Sequence, residues 1–338
     1  GIFFMAFTLA LVSFSCTGPI IGPLLVQAAV SGDNLGPLLG MTGFAIALAI
    51  PFALFAAFPA WLNSLPKSGG WLNAVKVSLG FLELALALKF LSNVDLAYHW
   101  GILKREVFIA LWIIIFGLWG FYLLGKLKFS HDSEVKFISI PRLMFAIIVL
   151  SFTLYLIPGL WGSPLKMISG FPPPDFYKEW SQGKDDGGHC PHNLSCFHDY
   201  DEGMAYAKSQ GKPVMIDFTG WSCVNCRKME DNVWSDPEIL KRLREDYVLI
   251  SLYVDDKTKI PADKQEVSVV DGKKVKTIGK KWSDLQTSVY KTNSQPYYIL
   301  LDNHANNLAQ PRGYTPSIET YKQFLDEGLC RYKKRNSE

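Results

Sequence analysis

The sequence has 338 residues, with 34 Lys and Arg against 31 Asp and Glu, and a formal net charge of +3. This near balance gives no reason to expect nucleic acid as a partner, and the length allows about two domains. Residues 1–165 are mostly apolar, whereas residues 171–338 carry most of the charged side chains.

The chain begins at Gly1 inside an apolar run, with no initiator Met and no basic segment before it. The run is too long for the apolar core of a signal peptide, which spans about 7–15 residues. We therefore expect the sequence to be a fragment that lacks the N-terminal part of a longer protein.

Five apolar stretches in the first half are long enough to cross a bilayer, which takes about 20 predominantly apolar residues. They are Phe3–Val30, Leu38–Leu62, Trp71–Leu91, Val107–Leu124 and Arg142–Trp161. Five such stretches in a row are not expected of core helices in a soluble protein. We therefore predict a multi-span α-helical domain over residues 1–165, in contact with membrane lipid.

The Lys and Arg residues of the short links predict an orientation, because cytoplasmic loops carry an excess of them. The second and fourth links carry Lys67, Lys126, Lys128 and Lys136; the first link has no Lys or Arg, and the third has two such residues. We predict that the second and fourth links face the cytoplasm and that the C-terminal domain lies on the outer side.

Cys16 precedes two prolines, Pro19 and Pro23, in the first apolar stretch. Each proline removes a backbone donor and disturbs a helix, and freed carbonyls at membrane depth require protein or a water-filled cavity beside them. Cys16 is therefore either an accessible redox thiol or a small packing residue near a kink. A redox partner for it would have to come from another chain or from the missing N-terminal part.

Glu83 lies near the middle of the third apolar stretch, seven residues after Lys76 and on the same helix face. A carboxylate at that depth is costly and usually faces the protein interior. A satisfied interhelical contact and a proton-relay or gating role both remain open.

Residues 166–198 are predicted to form a linker, in which the run Pro172–Pro174 is a stiff, extended spacer. Cys190 and Cys196 follow, interleaved with histidines. Their spacing is wider than in a zinc knuckle and no second ligand cluster follows, although a metal site remains the alternative. Because an outer compartment is oxidising, we predict a structural disulfide between the two cysteines and no metal.

Residues 199–338 are predicted to form an α/β domain. The predicted strands are 213–218, 247–254, 296–302 and a short one near Gly313, the helices are 201–210, a segment running through Val233, and 317–332, and a polar insertion covers 256–284.

Cys223 and Cys226 form a Cys-x-x-Cys motif between the first of these strands and a helix. At a helix N-terminus the helix dipole favours a thiolate, which predicts Cys223 as the nucleophile. Cys226, one turn further, is placed to resolve a mixed disulfide. Half a zinc site is the competing interpretation, but it needs a second ligand pair that Cys330 alone does not supply.

Two acidic residues flank the motif. Asp217, six residues before Cys223, is a candidate proton acceptor for the resolving Cys226, or a residue that caps or turns the end of the strand. Glu230, four residues after Cys226, either tunes the pKa of the thiol or is a solvated helix residue.

Trp221, Gln295 and Pro296 are candidates for substrate binding. A cis Pro296 at the start of its strand would present a backbone edge to a substrate cysteine, but the sequence does not determine the isomer.

The stretch from Asp217 to Cys226, together with Pro296, resembles the thioredoxin superfamily. The Cys-Val-x-Cys variant behind a multi-span domain is similar to the DsbD family of thiol:disulfide interchange proteins. The stretch Cys16–Pro19 resembles the second redox cysteine of the CcdA-like transmembrane domain of that family.

This resemblance implies a protein-disulfide reductase, that is, a thiol–disulfide oxidoreductase, in the inner membrane of a bacterium. Electrons would pass from cytoplasmic thioredoxin through a membrane cysteine pair that includes Cys16 to Cys223 and Cys226 in the periplasm. The acceptors would be periplasmic thiol–disulfide proteins, including those of cytochrome c maturation. The cysteines would be the redox groups, with no bound cofactor, and Asp217 and Glu230 would tune the outer site.

The resemblance leaves part of the chain unassigned. These residues contain neither a partner for Cys16 nor the N-terminal acceptor domain of the family. The family pattern also does not assign the Cys190/Cys196 segment, the 256–284 insertion or the role of Cys330. Two further functions remain open. One is a membrane-anchored thioredoxin-like binding or chaperone module whose Cys pair is structural, and the other is a small-solute transporter with an appended redox sensor.

Overall fold

The structure is a computed structural model that describes residues 69–129, 137–179 and 190–337, with scattered positions between 38 and 53. Residues 1–68 and 69–338 form two separate compact units. The first predicted span, Cys16 and most of the second predicted span lie outside the described residues.

Three helices open the second unit: α1 (Gly69–Tyr98), α2 (Arg105–Leu123) and α3 (Ile140–Leu156). Among the described residues, two segments are long and apolar enough to cross a membrane, namely α2 and α3 with its 3₁₀ extension to Trp161. Helix α1 contains the third predicted span and carries Lys76, Glu83 and Lys89. The larger number of spans stays a prediction.

Close packing joins α2 and α3. A Cβ atom at Gly120 would lie 2.5 Å from a methyl group of Leu150, so any larger residue would require the Leu150 side chain to move. Arg142 of α3 donates hydrogen bonds to the carbonyls of Leu123 and Tyr122, at 2.7 and 2.9 Å. The first bond satisfies a carbonyl at the end of α2, where helical partners run out, and the Tyr122 carbonyl also accepts the N–H of Gly125 at 2.9 Å.

The C-terminal domain is a four-stranded sheet covered by helices. Its elements are β1 (Cys196–Phe197), α4 (Tyr200–Gln210), β2 (Val214–Thr219), α5 (Val224–Met229) with a π-helical turn (Glu230–Trp234), α6 (Pro237–Glu245), β3 (Val248–Tyr253), α7 (Ile278–Tyr290), β4 (Tyr297–Leu301) and α8 (Ile318–Ser337). The strand order is β1-β3-β2-β4, with β1 and β2 parallel to β3 and β4 antiparallel to β2.

Local sequence explains these boundaries. Every residue of β2 and β3 is buried, as expected for short apolar runs at the centre of a covered sheet. The Asp199 and Asp236 side chains accept backbone N–H bonds at the starts of α4 and α6. Gly211, at φ +60°, ends α4 in the left-handed conformation that glycine adopts without strain.

The predicted elements need three corrections. Strand β1 lies inside the predicted linker. Its two residues pair with Leu249 and Ile250, but a run of two residues is too short to be recognised as a strand in the sequence. The predicted insertion ends inside a helix, since α7 begins at Ile278. The strand predicted near Gly313 is only an isolated bridge between Tyr298 and Arg312.

Two buried clusters cover the sheet. One contains Met215, Trp234 and Phe324, and the other contains Ile216, Phe218 and Trp282. Alternate residues of β2 pack into the two clusters, so the carboxyl end of this strand is rigidly held. That end leads directly into the Cys-x-x-Cys motif.

Candidate functional site

A disulfide joins Cys223 and Cys226, with Cα atoms 5.3 Å apart. Cys223 is the N-cap of α5, and its sulfur accepts the backbone N–H of Cys226 at 3.1 Å. The Cys223 side chain is half-buried, whereas Cys226 is only 1% exposed. An incoming thiol or disulfide therefore meets Cys223 first, and the N–H group is placed to stabilise its thiolate once the bond is broken.

The turn before Cys223 is held by Asp255, which follows β3. One carboxylate oxygen accepts the N–H of Trp221 at 2.8 Å and the other accepts the N–H of Ser222 at 2.9 Å. Gly220 lies so close that a Cβ there would be 3.1 Å from the same carboxylate. Asp255 thereby fixes the backbone that leads into the redox pair.

Trp221 lies among aromatic rings. Its indole stacks on Tyr253, with centroids 4.0 Å apart, and meets Phe176 and His99 in edge-on contacts at 5.9 and 5.2 Å. Phe176 belongs to the proline-rich linker and His99 to the α1–α2 connection. The predicted substrate-binding Trp221 is thus covered by the protein's own chain and is 8% exposed.

Asp217 is the fourth residue of β2 and lies between Ser251 of β3 and Tyr298 of β4 in the sheet register. It is 3% exposed, and its Oδ1 atom has no hydrogen-bond partner among the described residues. Burial raises the pKa of Asp217 to about 7, and the positive charge of Arg227 opposes this rise. Asp217 is therefore a buried carboxyl group that exchanges protons near neutral pH.

Glu230 is buried against Arg227, with Nη1 and Oε2 2.7 Å apart. Burial raises the pKa of Glu230 well above its usual range, and Arg227 opposes the rise. The alternative of a solvated helix residue therefore does not describe this side chain. The Arg227 guanidinium also lies 5.8 Å from the centre of the Phe176 ring.

Gln295 and Pro296 are joined by a cis peptide bond. The Gln295 side chain donates to the Gln286 side-chain oxygen at 3.0 Å, and Pro296 is buried at the start of β4. Strand β4, which begins directly after Pro296, pairs with β2, so these residues directly precede the strand next to the one that leads into the redox motif.

A second disulfide joins Cys190 and Cys196, with Cα atoms 6.2 Å apart. The two sulfurs and a ring nitrogen of His198 lie within 4.8 Å of one another. Because the sulfurs are bonded to each other, they are not free thiolates for a metal in this structure. Cys330 is a free, exposed thiol on α8.

Sequence reasoning missed several residues of the site, namely Arg227, Tyr253, Asp255, Phe176 and His99. Arg227 and Glu230 are three apart on a helix, a spacing that predicts an ion pair. Asp255 lies two residues after β3, a buried strand whose carboxyl end adjoins that of β2, and this position was a usable signal. No local pattern indicates Phe176 or His99, because they reach Trp221 through tertiary packing.

Comparison with known proteins agrees with this geometry. Residues 200–329 match the family profile described as a thioredoxin-like domain. The chain is 29% identical over 241 residues to thiol:disulfide interchange protein DsbD 1 of Pseudomonas aeruginosa, covering 69% of this chain and 36% of the relative. It is 27% identical over 252 residues to the DsbD protein of Vibrio vulnificus, covering 74% and 37%. The chain therefore spans little more than a third of the length of these relatives.

Two solved structures are also similar. One is a DsbH oxidoreductase, at 19% identity over 44% of this chain and 94% of that one, with a TM-score of 0.29. The other is a thioredoxin from Thermus thermophilus, at 20% identity over 42% and 92%, with a TM-score of 0.31.

The predicted resemblance is thus confirmed: the chain carries a thioredoxin-like domain over residues 200–329 and is related in sequence to the DsbD thiol:disulfide interchange proteins over about 70% of its length.

Proposed function

We propose that the chain is a membrane-bound thiol:disulfide reductase whose outer site, Cys223 and Cys226, passes two electrons to the disulfides of periplasmic proteins. The asymmetric burial of this pair carries the proposal. A half-buried Cys223 at a helix start is open to a partner, while a buried Cys226 is reached only from within. Nucleophilic and resolving thiols require this division.

The chemistry begins from the reduced pair. The Cys223 thiolate attacks a sulfur of the acceptor disulfide, which forms a mixed disulfide and releases the first acceptor thiolate. Cys226 loses its proton, and its thiolate attacks the Cys223 sulfur. This step forms the Cys223–Cys226 disulfide and releases the second acceptor thiolate, so the acceptor gains two electrons. No bound cofactor takes part.

Asp217 serves as the base for Cys226 in this proposal. Its pKa of about 7 suits it to accept a proton at neutral pH and to return it afterwards. Glu230 acts through Arg227, whose charge opposes the rise in the pKa of both carboxyl groups. Gln295 and the backbone of Pro296 form the surface for the acceptor, and Trp221, which Phe176 and His99 cover, supports the turn that leads to Cys223.

The electrons arrive, on this proposal, from cytoplasmic thioredoxin through Cys16 and a partner cysteine in the inner membrane. The relationship to DsbD proteins supports this route. The packing of the end of α1 and of the α1–α2 connection on the redox domain also supports it. The backbone N–H of Lys257 donates to the Ala97 carbonyl at 3.0 Å, and His99 Nε2 lies 3.1 Å from Asp256. These contacts join the redox domain to the end of α1, as a route through the N-terminal half of the chain requires.

Trapping with an acceptor tests the exchange step. In a Cys226→Ser variant incubated with an oxidised periplasmic thiol–disulfide protein, we expect a mixed disulfide through Cys223, identified by peptide mass spectrometry. The matched control is Cys330→Ser, which removes an exposed thiol outside the site and should leave trapping unchanged. Trapping through Cys226 of a Cys223→Ser variant instead would reverse the roles.

The membrane route has a separate test in cells that make the protein. Replacing Cys16 by Ser should leave Cys223 and Cys226 oxidised, as measured by thiol alkylation after acid quenching. A pair that stays reduced in this variant would contradict the route but not the exchange chemistry. If Cys223 traps no partner, whether the pair is found oxidised or reduced in cells, the binding or chaperone module would be favoured instead.

A further inference from the structure

A groove lies beside β1, on the side of the domain formed by the 256–284 insertion. It has a volume of about 830 Å³. Its walls combine the β1 residues Cys196 and Phe197 with Ile260 and Val275 of the insertion and Trp282 of α7. Cys196 thus opens into a concave surface large enough for a segment of another protein.

The Cys190–Cys196 disulfide is exposed on one side only. Cys190 is 4% exposed and packs in the core cluster with Leu194 and Met215, whereas Cys196 is half-buried and lines the groove. The Cys223–Cys226 pair shows the same division between an accessible and a buried sulfur. A thiolate in the groove therefore reaches Cys196 and not Cys190.

A histidine adjoins the accessible sulfur. His198 Nδ1 lies 3.1 Å from the Ser251 carbonyl, which can only accept, so this nitrogen carries the proton. Nε2 then faces the Cys196 sulfur at 3.8 Å. An imidazole in this position stabilises a thiolate when protonated and accepts its proton when neutral.

The buried sulfur also has a polar neighbour. The Ser251 hydroxyl lies 3.5 Å from Cys190 Sγ, and because a disulfide sulfur has no hydrogen, the hydroxyl is the donor. Each sulfur of the pair therefore has a group that can stabilise negative charge when the bond is broken. A disulfide that only closes a loop needs neither group.

We propose that Cys190 and Cys196 form a second thiol–disulfide exchange site, which accepts two electrons from the dithiol of a partner protein seated in the groove. A partner thiolate attacks Cys196 Sγ, forming a mixed disulfide and releasing Cys190 as a thiolate, which takes up a proton. His198 Nε2 then takes the proton of the partner's second thiol, and the resulting thiolate attacks its own protein's sulfur in the mixed disulfide. This step releases Cys196 as a thiolate, which the protonated His198 stabilises and to which it returns the proton. The partner leaves as a disulfide, and Cys190 and Cys196 remain as thiols.

The proposal does not depend on the function of the Cys-x-x-Cys site, although the two lie near one another. The His198 ring is 5.6 Å from Tyr253, which stacks on Trp221. These three side chains line a smaller cavity of about 280 Å³. Trp282 lines both this cavity and the groove. A partner covering the groove therefore extends toward the first redox pair.

The first experiment measures reduction of the second disulfide in the folded full chain. Cys223 and Cys226 are replaced by Ser so that only the Cys190–Cys196 bond remains, and dithiothreitol or reduced thioredoxin is added without denaturant. Alkylation and peptide mass spectrometry report the free thiols. We expect reduction by both reagents, faster with thioredoxin at equal dithiol concentration because it can occupy the groove.

Two histidine variants separate chemistry from structure. His198→Ala should slow reduction by about tenfold, since a group that stabilises a thiolate changes rates by at least this factor. His304→Ala, an exposed histidine after β4, is the matched control and should change nothing. A disulfide that resists reduction until the chain is denatured, or equal rates in the two variants, would overturn the proposal.

A second measurement keeps the proposal testable if a substitution loosens the loop between Cys190 and Cys196. In a Cys190→Ala chain, the alkylation rate of Cys196 is compared with that of the exposed Cys330 in the same molecule. An activated Cys196 reacts faster than Cys330 although it is less accessible, and loses this advantage in the His198→Ala background. A Cys196 that reacts more slowly in both backgrounds has only a structural role.

Discussion

The indole of Trp221 and the phenol ring of Tyr253 are stacked at 4.0 Å with an interplanar angle of 20°. Tyr253 is the last residue of β3, and Trp221 follows β2 by two residues. Two neighbouring parallel strands therefore deliver these rings to the same edge of the sheet. Phe176 of the linker and His99 of the α1–α2 connection cover this stack beside the redox pair.

Removing the linker's contribution to this cover should open the site. In Phe176→Ala we expect Cys223 of the reduced chain to react faster with a protein disulfide. An aromatic contact is worth roughly 1 kcal/mol, which corresponds to about a fivefold change in rate or population. Phe171→Ala is the matched control, because Phe171 lies in the same linker but contacts Trp112 instead. Equal rates for the two variants would show that Phe176 does not restrict access.

Asp255 is expected to position the motif without touching the reacting sulfurs. Asp255→Ala leaves the N–H groups of Trp221 and Ser222 without their acceptors, which should lower the free energy of unfolding by about 2 kcal/mol. The rate of disulfide exchange should fall by more than the loss of stability alone explains, because the turn before Cys223 loses its fixed geometry. Urea titration and trapping rates of the full chain measure the two effects.

The variant Asp255→Asn provides the comparison for this prediction. It keeps one carbonyl oxygen and should recover part of both losses. If Asp255→Ala exchanged disulfides at the normal rate, the carboxylate would have no positioning role.

Much of this domain followed from the sequence, because buried strands such as β2 and β3 are apolar runs bounded by turns. The redox pair followed from its spacing and from the strand before it. Asp217 was placed correctly on that strand, but the surroundings that raise its pKa come from β3, β4 and α5. A single strand does not show these neighbours.

Other features depend on tertiary contacts that no short pattern encodes. Strand β1 has two residues and is defined only by pairing with β3. Phe176 and His99 come from segments 45 and 122 residues before Trp221, and either could have packed elsewhere. The groove beside Cys196 exists only because the 256–284 insertion folds back along β1 and α7.

The Arg227–Glu230 pair should show strong coupling in stability. Both side chains are buried, so Glu230→Leu leaves the Arg227 charge without its partner and should cost about 3–5 kcal/mol, whereas Arg227→Met leaves a carboxyl group that can take up a proton and should cost less. Arg227→Met and Glu230→Leu are therefore each expected to destabilise the chain. The double variant should be less destabilised than the sum of the two, as measured by urea unfolding in a double-mutant cycle. Additive losses would mean that the two side chains act independently.

The buried Asp217 should make stability depend on pH in a defined direction. Its pKa rises from an ordinary 3.8 to about 7 in the folded chain, so the folded state keeps a proton that the unfolded state releases between these values. The resulting stability is fully present below pH 3.8 and is lost as the pH rises through 7. A shift of this size corresponds to roughly 4 kcal/mol.

Replacing Asp217 by Asn tests both the stability and the chemistry of this carboxyl group. The variant should show a shallower decline in unfolding free energy between pH 4 and 7, because only the raised pKa values of Glu230 and Asp231 then contribute to it, and should be more stable than the parent chain at pH 8, where the parent carries a buried charge. Asp263→Asn, at an exposed position, should retain the parent profile. In the trapping assay, Asp217→Asn should still form the mixed disulfide through Cys223 but should resolve it more slowly, since Cys226 has lost its base. A variant that kept the parent's pH profile for both unfolding and resolution would show that Asp217 does not titrate in this range.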